Sequence, residues 1–493
     1  MHKHLRLALA TASAAALTGG LLTFSAATAT AADSATVPQA DFNNDGFGDV
    51  AFSADGAYVN GKKAAGQIVV LYGTATGVSS AKRTVLSQDS SGVPGTAEAG
   101  DAFGAVSAYG DFNGDGYDDL ATTAYKEDVG GDTDGGTVVV LWGSAKGVTG
   151  TGSVTIADPA ASSHDRWGKN LAAGDFDGDG KDDLVVGNTS STLYVLKGGI
   201  SSTGSAVGGR YKVTPPIQSG SSSMGPLNIH AGDVNGDKKT DLVVDGFETE
   251  TDSGWNTNYF VPGTASGLSA ASATTLKPGV ITAIGDVNGD TYGDIVTGSH
   301  WNNKTPEGTT IPDAALGGKV NVTYGTSAGP GTSTGFTQES GNVPGESETD
   351  DYFGYELDLG DINGDGYQDL VVGAPGEDVG SIDDAGSLTV LYGSASGINL
   401  SSGAQYFTQD TANVPDSAEA YDAFGAEVKL DDVNGDGKAD LLAGSYENAG
   451  NGSVLYLPSS GTKITTSGGR TVSPSTSGVS TTGAPAFGVN FAN

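Results

Sequence analysis

Apolar residues in this chain come in short β-branched runs bounded by Gly, Asp and Asn, as in Gln67-Ile68-Val69-Val70-Leu71-Tyr72. After the first thirty positions no stretch holds a helical period for long. That pattern predicts many short strands joined by tight turns, and hence an all-β fold. Gly-led strands are expected at Gly66–Gly73, Gly136–Gly143, Leu193–Gly198, Tyr259–Gly263, Gly318–Gly325, Gly386–Gly393 and Gly452–Pro458. Strands such as Leu370-Val371-Val372-Gly373-Ala374-Pro375 precede them, and outer strands such as Gln405-Tyr406-Phe407-Thr408 follow.

The N-terminus reads differently. A basic start (His2, Lys3, His4, Arg6) leads into an Ala/Leu-rich stretch and Ala-x-Ala sites at Ala27-Thr28-Ala29 and Ala29-Thr30-Ala31. Residues 1–31 are therefore expected to be a secretory signal peptide, removed to release an extracellular product. The chain has no Cys, so no disulfide supports the exported fold, and its 79 Gly raise the entropy lost on folding.

What replaces the missing crosslinks is a repeat. The pattern Asp-x-Asn/Asp-x-Asp-Gly-x-x-Asp recurs seven times, at spacings of 53 to 75 residues. Positions 1, 3, 5 and 9 offer side-chain oxygens and position 7 offers its carbonyl. The seven sets are Asp41, Asn43, Asp45, Phe47 and Asp49; Asp111, Asn113, Asp115, Tyr117 and Asp119; and Asp175, Asp177, Asp179, Lys181 and Asp183. They continue with Asp233, Asn235, Asp237, Lys239 and Asp241, then Asp286, Asn288, Asp290, Tyr292 and Asp294. The last two are Asp361, Asn363, Asp365, Tyr367 and Asp369, and Asp432, Asn434, Asp436, Lys438 and Asp440. Alternating hard oxygens on a tight loop suit Ca²⁺, which takes six to eight of them in a flexible shell; Mg²⁺ demands a stricter octahedron. Up to seven calcium ions are expected.

A helical calcium loop would need a bidentate Glu at position 12. Thr122 and Val372 stand there, and the residues after position 9 read as strand. The loops therefore join two strands. At position 6 the fourth and fifth loops carry Lys238 and Thr291 instead of Gly, so these two sites are expected to be weaker, reshaped or empty. Three Asp per loop and the extra Asp177 make 22 ligand carboxylates among 59 acidic residues. Loss of Lys3 and Arg6 takes the net charge from −36 to −38, and seven Ca²⁺ would return it to −24. Such acidity argues against nucleic-acid partners and anionic membranes.

A second motif travels with the loops. About ten residues before most of them stands an aromatic-Gly pair: Phe103-Gly104, Trp167-Gly168, Phe353-Gly354, Phe424-Gly425, and a weaker Met224-Gly225. Four strands per unit of this size match a propeller blade. The Phe-Gly … Gly-Ala-Pro pairing around an Asp-rich loop resembles the FG-GAP/VCBS-type repeat of integrin α-chain propellers and secreted bacterial proteins. The segment Gln88-Asp89 … Val93-Pro94-Gly95 … Glu98 … Asp101-Ala102-Phe103-Gly104 carries the resemblance most closely, and its spacing recurs at Gln338 … Phe353 and Gln409 … Phe424. The resemblance implies a seven-bladed β-propeller of four-stranded blades over residues 32–493, one domain, with calcium in the inter-strand loops. The first loop lacks a preceding aromatic-Gly strand, whereas Pro485-Ala486-Phe487-Gly488-Val489-Asn490-Phe491 has no loop after it. The ring is expected to close by pairing that C-terminal strand with the first blade.

Catalytic signals are thin. Gly331-Thr332-Ser333-Thr334-Gly335 matches a Gly-x-Ser-x-Gly nucleophile elbow, a motif that needs a strand-to-helix turn. His164, His230 and His300 are scattered, and the pairs Glu127-Asp128 and Glu377-Asp378 read as solvated loop charge with acid/base or metal-ligand roles as alternatives. No catalytic residue is assigned. The expected function is a secreted, monomeric binding or adhesion-type module for an extracellular protein or glycan, without membrane insertion. The alternative is an extracellular hydrolase or lyase on polysaccharide or lipid. Ligand contacts are expected at the long inserts Lys126–Gly135, Trp301–Gly317 and Glu377–Gly386, with His300-Trp301 and Trp255 as candidate lining residues.

Overall fold

Each short run pairs antiparallel with its sequence neighbour, so the sheets are meanders of local strands. The computed structural model describes residues 39–221, 223–251 and 254–493; the expected leader, residues 1–31, lies outside them. Blade two consists of Ser107–Gly110, Asp119–Ala124, Thr137–Leu141 and Val154–Ile156, and blade three of Leu171–Gly174, Asp183–Val186, Leu193–Leu196 and Arg210–Val213. Blades four to seven begin at the inner strands Ile229–Gly232, Ile281–Gly285, Leu357–Gly360 and Glu427–Asp431 and end at Thr274–Leu276, Ser333–Phe336, Gln405–Phe407 and Arg470–Val472. Blade one supplies only three strands of its own, Val50–Ala54, Gln67–Leu71 and Arg83–Leu86.

Its fourth, innermost strand is the C-terminal segment. Phe491 bridges antiparallel to Phe52, the Ser53 amide donates to the Asn490 carbonyl at 2.8 Å, and the Ala492 amide donates to Ala51 at 2.9 Å. The fold is thus a seven-bladed, four-stranded all-β propeller closed as the unpaired ends of the sequence required. One expected strand shifts: Tyr259–Gly263 is observed as Asn256–Val261, because strand Asp241–Phe247 extends far enough to pair Phe247 with Asn256. Helix is confined to short turns such as Glu447–Gly450 and Pro474–Ser477. No helix of the described residues is long and apolar enough to cross a membrane.

The core lies between blades. Phe103, Leu120 and Val139 of blade two pack with Phe42, Ile68 and Val70 of blade one, and Phe52 packs with Tyr456, Phe487 and Phe491 across the closure. An aromatic-Gly pair builds each such joint. Phe103, Trp167, Phe353, Phe424 and Phe487 are all at most 1% exposed. Each donates its amide backwards to the preceding blade, to Ala65, Gly135, Gly317, Ala385 and Asn451 respectively. The following Gly, with φ of 83° to 90°, donates within its own blade, as Gly104 does to Thr123 at 2.8 Å. A side chain at that left-handed Gly would be strained.

The seams are unequal. Between blades four and five only Val234, Val243, Phe260, Ile284 and Ile295 form the buried apolar cluster, a third of the number found across the closure. Buried Thr297 and Asn258 take up space there, each with an unbonded oxygen. Because apolar area dominates such a joint, amide hydrogen exchange should open first along Ile229–Gly232 and Ile281–Gly285. Uniform protection around the ring would contradict this.

Candidate metal centres

Each Asp-rich loop joins the inner strand of a blade to the second strand. The ninth-position Asp opens that second strand, as Asp119, Asp183, Asp241, Asp294, Asp369 and Asp440 do, and this excludes a following helix. Within the loop the first Asp folds the backbone around itself. Asp111 accepts the amides of Gly114 and Asp115 on Oδ1 at 2.7 and 3.1 Å, and that of Gly116 on Oδ2 at 2.9 Å. The position 5 carboxylate accepts the position 7 amide in all seven loops, at 3.0 to 3.2 Å, from Phe47 to Lys438. Of the position 7 side chains, Lys239 folds back on its own loop, its ammonium 3.2 Å from the Asp237 carboxylate.

Loops four and five keep the backbone shape of the others, so of the three alternatives, weaker, reshaped or empty, a reshaped backbone is not observed. Lys238 and Thr291 adopt φ of 65° and 75°, and their amides still reach Asp233 and Asp286 at 2.8 and 2.7 Å. The surrounding turn holds both residues in a conformation that costs about 1–2 kcal/mol. Lys238→Gly and Thr291→Gly should therefore each stabilise the protein by about 1 kcal/mol, read as a higher urea midpoint at unchanged m-value. No gain in either variant would show that the turn carries no strain.

The ninth-position Asp is the deepest ligand candidate. Asp49, Asp119, Asp183, Asp241, Asp294, Asp369 and Asp440 are at most 1% exposed. Burial, with the other carboxylates of the same loop adding to it, pushes Asp49, Asp119 and Asp369 up to about 8 and Asp183, Asp241, Asp294 and Asp440 up to about 7. Amide donors oppose the shift: Asp369 accepts from Ile362 and Gly393, each at 2.9 Å. A nearby cation would favour the ionised form and reverse it.

The residues present fit a hard divalent ion. Asp119 Oδ2, Asp183 Oδ2 and Asn43 Oδ1 are buried without any hydrogen-bond partner among the described residues, and such oxygens are costly unless something positive meets them. Asp175, Asp177 and Asp179 have carboxylate oxygens within 4.8 Å of one another. Asp177, the only acid at a third position, is paired with the Lys197 ammonium of the same blade. In four of the other six loops Asn235, Asn288, Asn363 and Asn434 turn their amide oxygens onto the position 5 amide at 2.8 to 3.0 Å.

The loops also touch each other, a feature invisible in the repeat. The eighth-position amide donates to the first-position carbonyl of the preceding blade's loop: Gly48 to Asp432 at 3.0 Å, Thr240 to Asp175, Gln368 to Asp286 and Ala439 to Asp361, each at 2.9 Å. Where the eighth residue is Asp, its carboxylate adds a second tie, as Asp118 accepts the Asp41 amide at 2.7 Å and Asp182 the Asp111 amide at 3.0 Å. The loops are joints between blades.

The remaining chemical candidates resolve as structure. Glu127 and Glu377 are not solvated loop charge. Glu377 accepts from Gln338 Nε2 at 2.8 Å, and Gln88–Glu127 and Gln409–Glu447 repeat the pair. This explains the recurring Gln of the Gln-Asp … Val-Pro segment, which reaches the next blade. Ser333, in the Gly-x-Ser-x-Gly match, starts the outer strand Ser333–Phe336, paired in register with Val320–Thr323, so no elbow forms. His164 is buried against Trp167 and Tyr194.

Comparison with known proteins agrees with this geometry. The FG-GAP repeat model matches residues 167–206, 353–391 and 424–457, and the FG-GAP-like repeat model matches residues 111–186. Repeats, ring and closure make this chain an integrin-like FG-GAP propeller protein. Phosphatidylinositol-glycan-specific phospholipase D of Rattus norvegicus is 34% identical over 148 residues, 30% of this chain and 17% of that protein. Integrin alpha-PS5 of Drosophila melanogaster is 35% identical over 108 residues, 22% of this chain and 10% of that protein. The chain thus spans less than a fifth of the length of either relative. A solved structure, the Dos1 propeller, aligns with 87% of this chain and 85% of its own at 10% identity and a TM-score of 0.39.

Proposed function

We propose that this protein is an exported, calcium-stabilised propeller that presents one face to an extracellular protein or glycan. The observation that carries the reading is a division of labour between the two faces. The Asp-rich turns, most of them tied to a neighbouring turn, lie at the end where inner strand meets second strand. The long connections lie at the other end. They bring His300 within 5.0 Å of Tyr355 and 5.6 Å of Trp301, ring centre to ring centre, with Tyr352 at 6.1 Å. Tyr446 and Tyr421 on the same face are 38% and 66% exposed. Clustered, accessible aromatics on irregular loops suit recognition of protein or sugar.

In this reading calcium is structural. It would be held by the first, third, fifth and ninth side chains and the seventh carbonyl of each loop, and it would neutralise carboxylates that burial otherwise disfavours. Glu127 and Glu377, the acids on which a hydrolase would draw, each accept a Gln amide from the preceding blade, which favours a structural role for them. The test screens immobilised mature protein against glycan arrays and extracellular protein extracts, with and without chelator. Ligand capture that Tyr446→Ala and Tyr352→Ala abolish, at unchanged melting temperature, is the expected result. Capture indifferent to both substitutions would place recognition elsewhere and defeat the proposal.

A further inference from the structure

An Asn followed by Gly readily loses its side-chain amide, because no Cβ hinders attack by the next backbone nitrogen. The chain contains seven such pairs, and the fold sorts them. Five fill positions 3 and 4 of the Asp-rich turns, where the reacting groups are held. The attacking amides of Gly114, Gly236, Gly289 and Gly364 donate to the first Asp of their own turn at 2.6 to 2.8 Å. In the fifth, Asn434 is pinned at both ends: its Oδ1 accepts from the Asp436 amide at 3.0 Å and its Nδ2 donates to Asp440 at 2.8 Å. Asn451-Gly452 is also secured, with Gly452 buried and its amide donating to Tyr446 at 3.1 Å.

Asn60-Gly61 differs from the other six. It forms the two-residue tip of a hairpin in which Val59 and Lys62 exchange backbone hydrogen bonds at 3.1 and 2.9 Å. Asn60 and Gly61 take φ of 49° and 83°, the left-handed pair that such a tip requires. Both residues are exposed, a Cβ on Gly61 would meet nothing within 4 Å, and the Gly61 amide has no hydrogen-bond partner among the described residues. The equivalent hairpins of blades two and six, bridged Val129 to Asp132 and Val379 to Ile382, carry Gly130-Gly131 and Gly380-Ser381 at their tips. Of the three, only that of blade one places a side-chain amide there, and the amide is in use. Asn60 Nδ2 donates to Asp89 Oδ2 at 2.7 Å, clasping the hairpin to the connection after outer strand Arg83–Leu86. Asp89 also accepts the Ala97 amide at 3.0 Å. Asn60 first, and then Ala97, hold its carboxyl below the ordinary value.

We propose that Asn60 is a self-modifying site whose deamidation opens this clasp. The Gly61 nitrogen, losing its proton, bonds to the side-chain carbonyl carbon of Asn60. The bond from that carbon to Nδ2 breaks, and the amino group leaves with the proton as ammonia. Water then opens one of the two carbonyl–nitrogen bonds of the five-membered imide, giving an aspartyl or an isoaspartyl residue at position 60. No oxidant, metal or enzyme is needed. Either product sets a new carboxylate beside Asp89 where an amide donor stood, so attraction becomes like-charge repulsion. The isoaspartyl form also adds a methylene to the backbone of the tip, which breaks the two-residue turn geometry. The exposed Lys62-Lys63 pair, next along the chain, is freed with the hairpin.

The test is peptide mapping by mass spectrometry of the mature protein held in mildly alkaline, calcium-containing buffer. The Asn60 peptide should exchange amide for acid at least tenfold faster than the other six Asn-Gly peptides, because attack elsewhere must wait for local opening. A turn pair converting first, or an Asn60 amide that outlasts the others, overturns the proposal. In urea all seven should convert at similar rates. An unfolded chain that keeps the native order would assign that order to sequence instead of fold, and would equally overturn it. The clasp is tested by Asn60→Asp, which keeps the turn because Asp-Gly suits it as well. Trypsin should cut after Lys62 or Lys63 several-fold faster in this variant than in the parent, at unchanged melting temperature. Equal cleavage rates would show that Asp89 does not hold the hairpin and would defeat the switch.

Discussion

Chelation should lower the melting temperature of the mature protein by about 7 °C. The size of the effect follows from linkage: an ion present at ten times its dissociation constant contributes about 1.4 kcal/mol. Five loops with Gly at position 6 therefore contribute about 7 kcal/mol. A domain of this length unfolds with an entropy of about 1 kcal/mol/K, so each kcal/mol moves the midpoint by about one degree. Because eighth-position amides and carboxylates tie most loops to a neighbour, the loss should appear as one cooperative shift, not as seven separate transitions. Calorimetry with calcium and with excess EGTA measures it. A midpoint indifferent to chelator would remove calcium from the account of this fold.

The second large effect is expected on cutting the closure. Deletion of residues 485–493 removes Phe487 and Phe491, which are 0% and 4% exposed and pack edge-on against Phe52 at 4.8 and 5.9 Å. Losing a buried Phe costs about 3–5 kcal/mol, and the amide bonds to Ala51, Ser53 and Ser107 go with them. The truncated protein should melt about 10 °C lower in saturating calcium and expose the edge of Val50–Ala54 to association. Phe487→Ala alone should give about a third to a half of that shift. A truncated protein melting at the parent's temperature would show that the C-terminal strand does not close the ring.

Much of this was legible because it is local. The Asp-rich turns need particular residues at fixed offsets, and the buried aromatic-Gly pairs need Gly at one left-handed position. Both requirements survive in the sequence as spacing. Even the closure could be read, since one unit lacked a strand and the chain end supplied a spare. The misreadings concern pairs that meet only across blades. Glu127 read as solvent-facing until Gln88, 39 residues earlier, was placed against it.

The sequence alone determined the number of blades, the strands within each and where seven acidic turns fall, because short-range sterics and alternating polarity act within a few residues of chain. Only the closed ring decided which turns touch, which seam is thinnest, and that Glu356, Asp358 and Glu427 share one cavity. Those relations depend on distance through space between strands tens of residues apart, and no period along the chain encodes them.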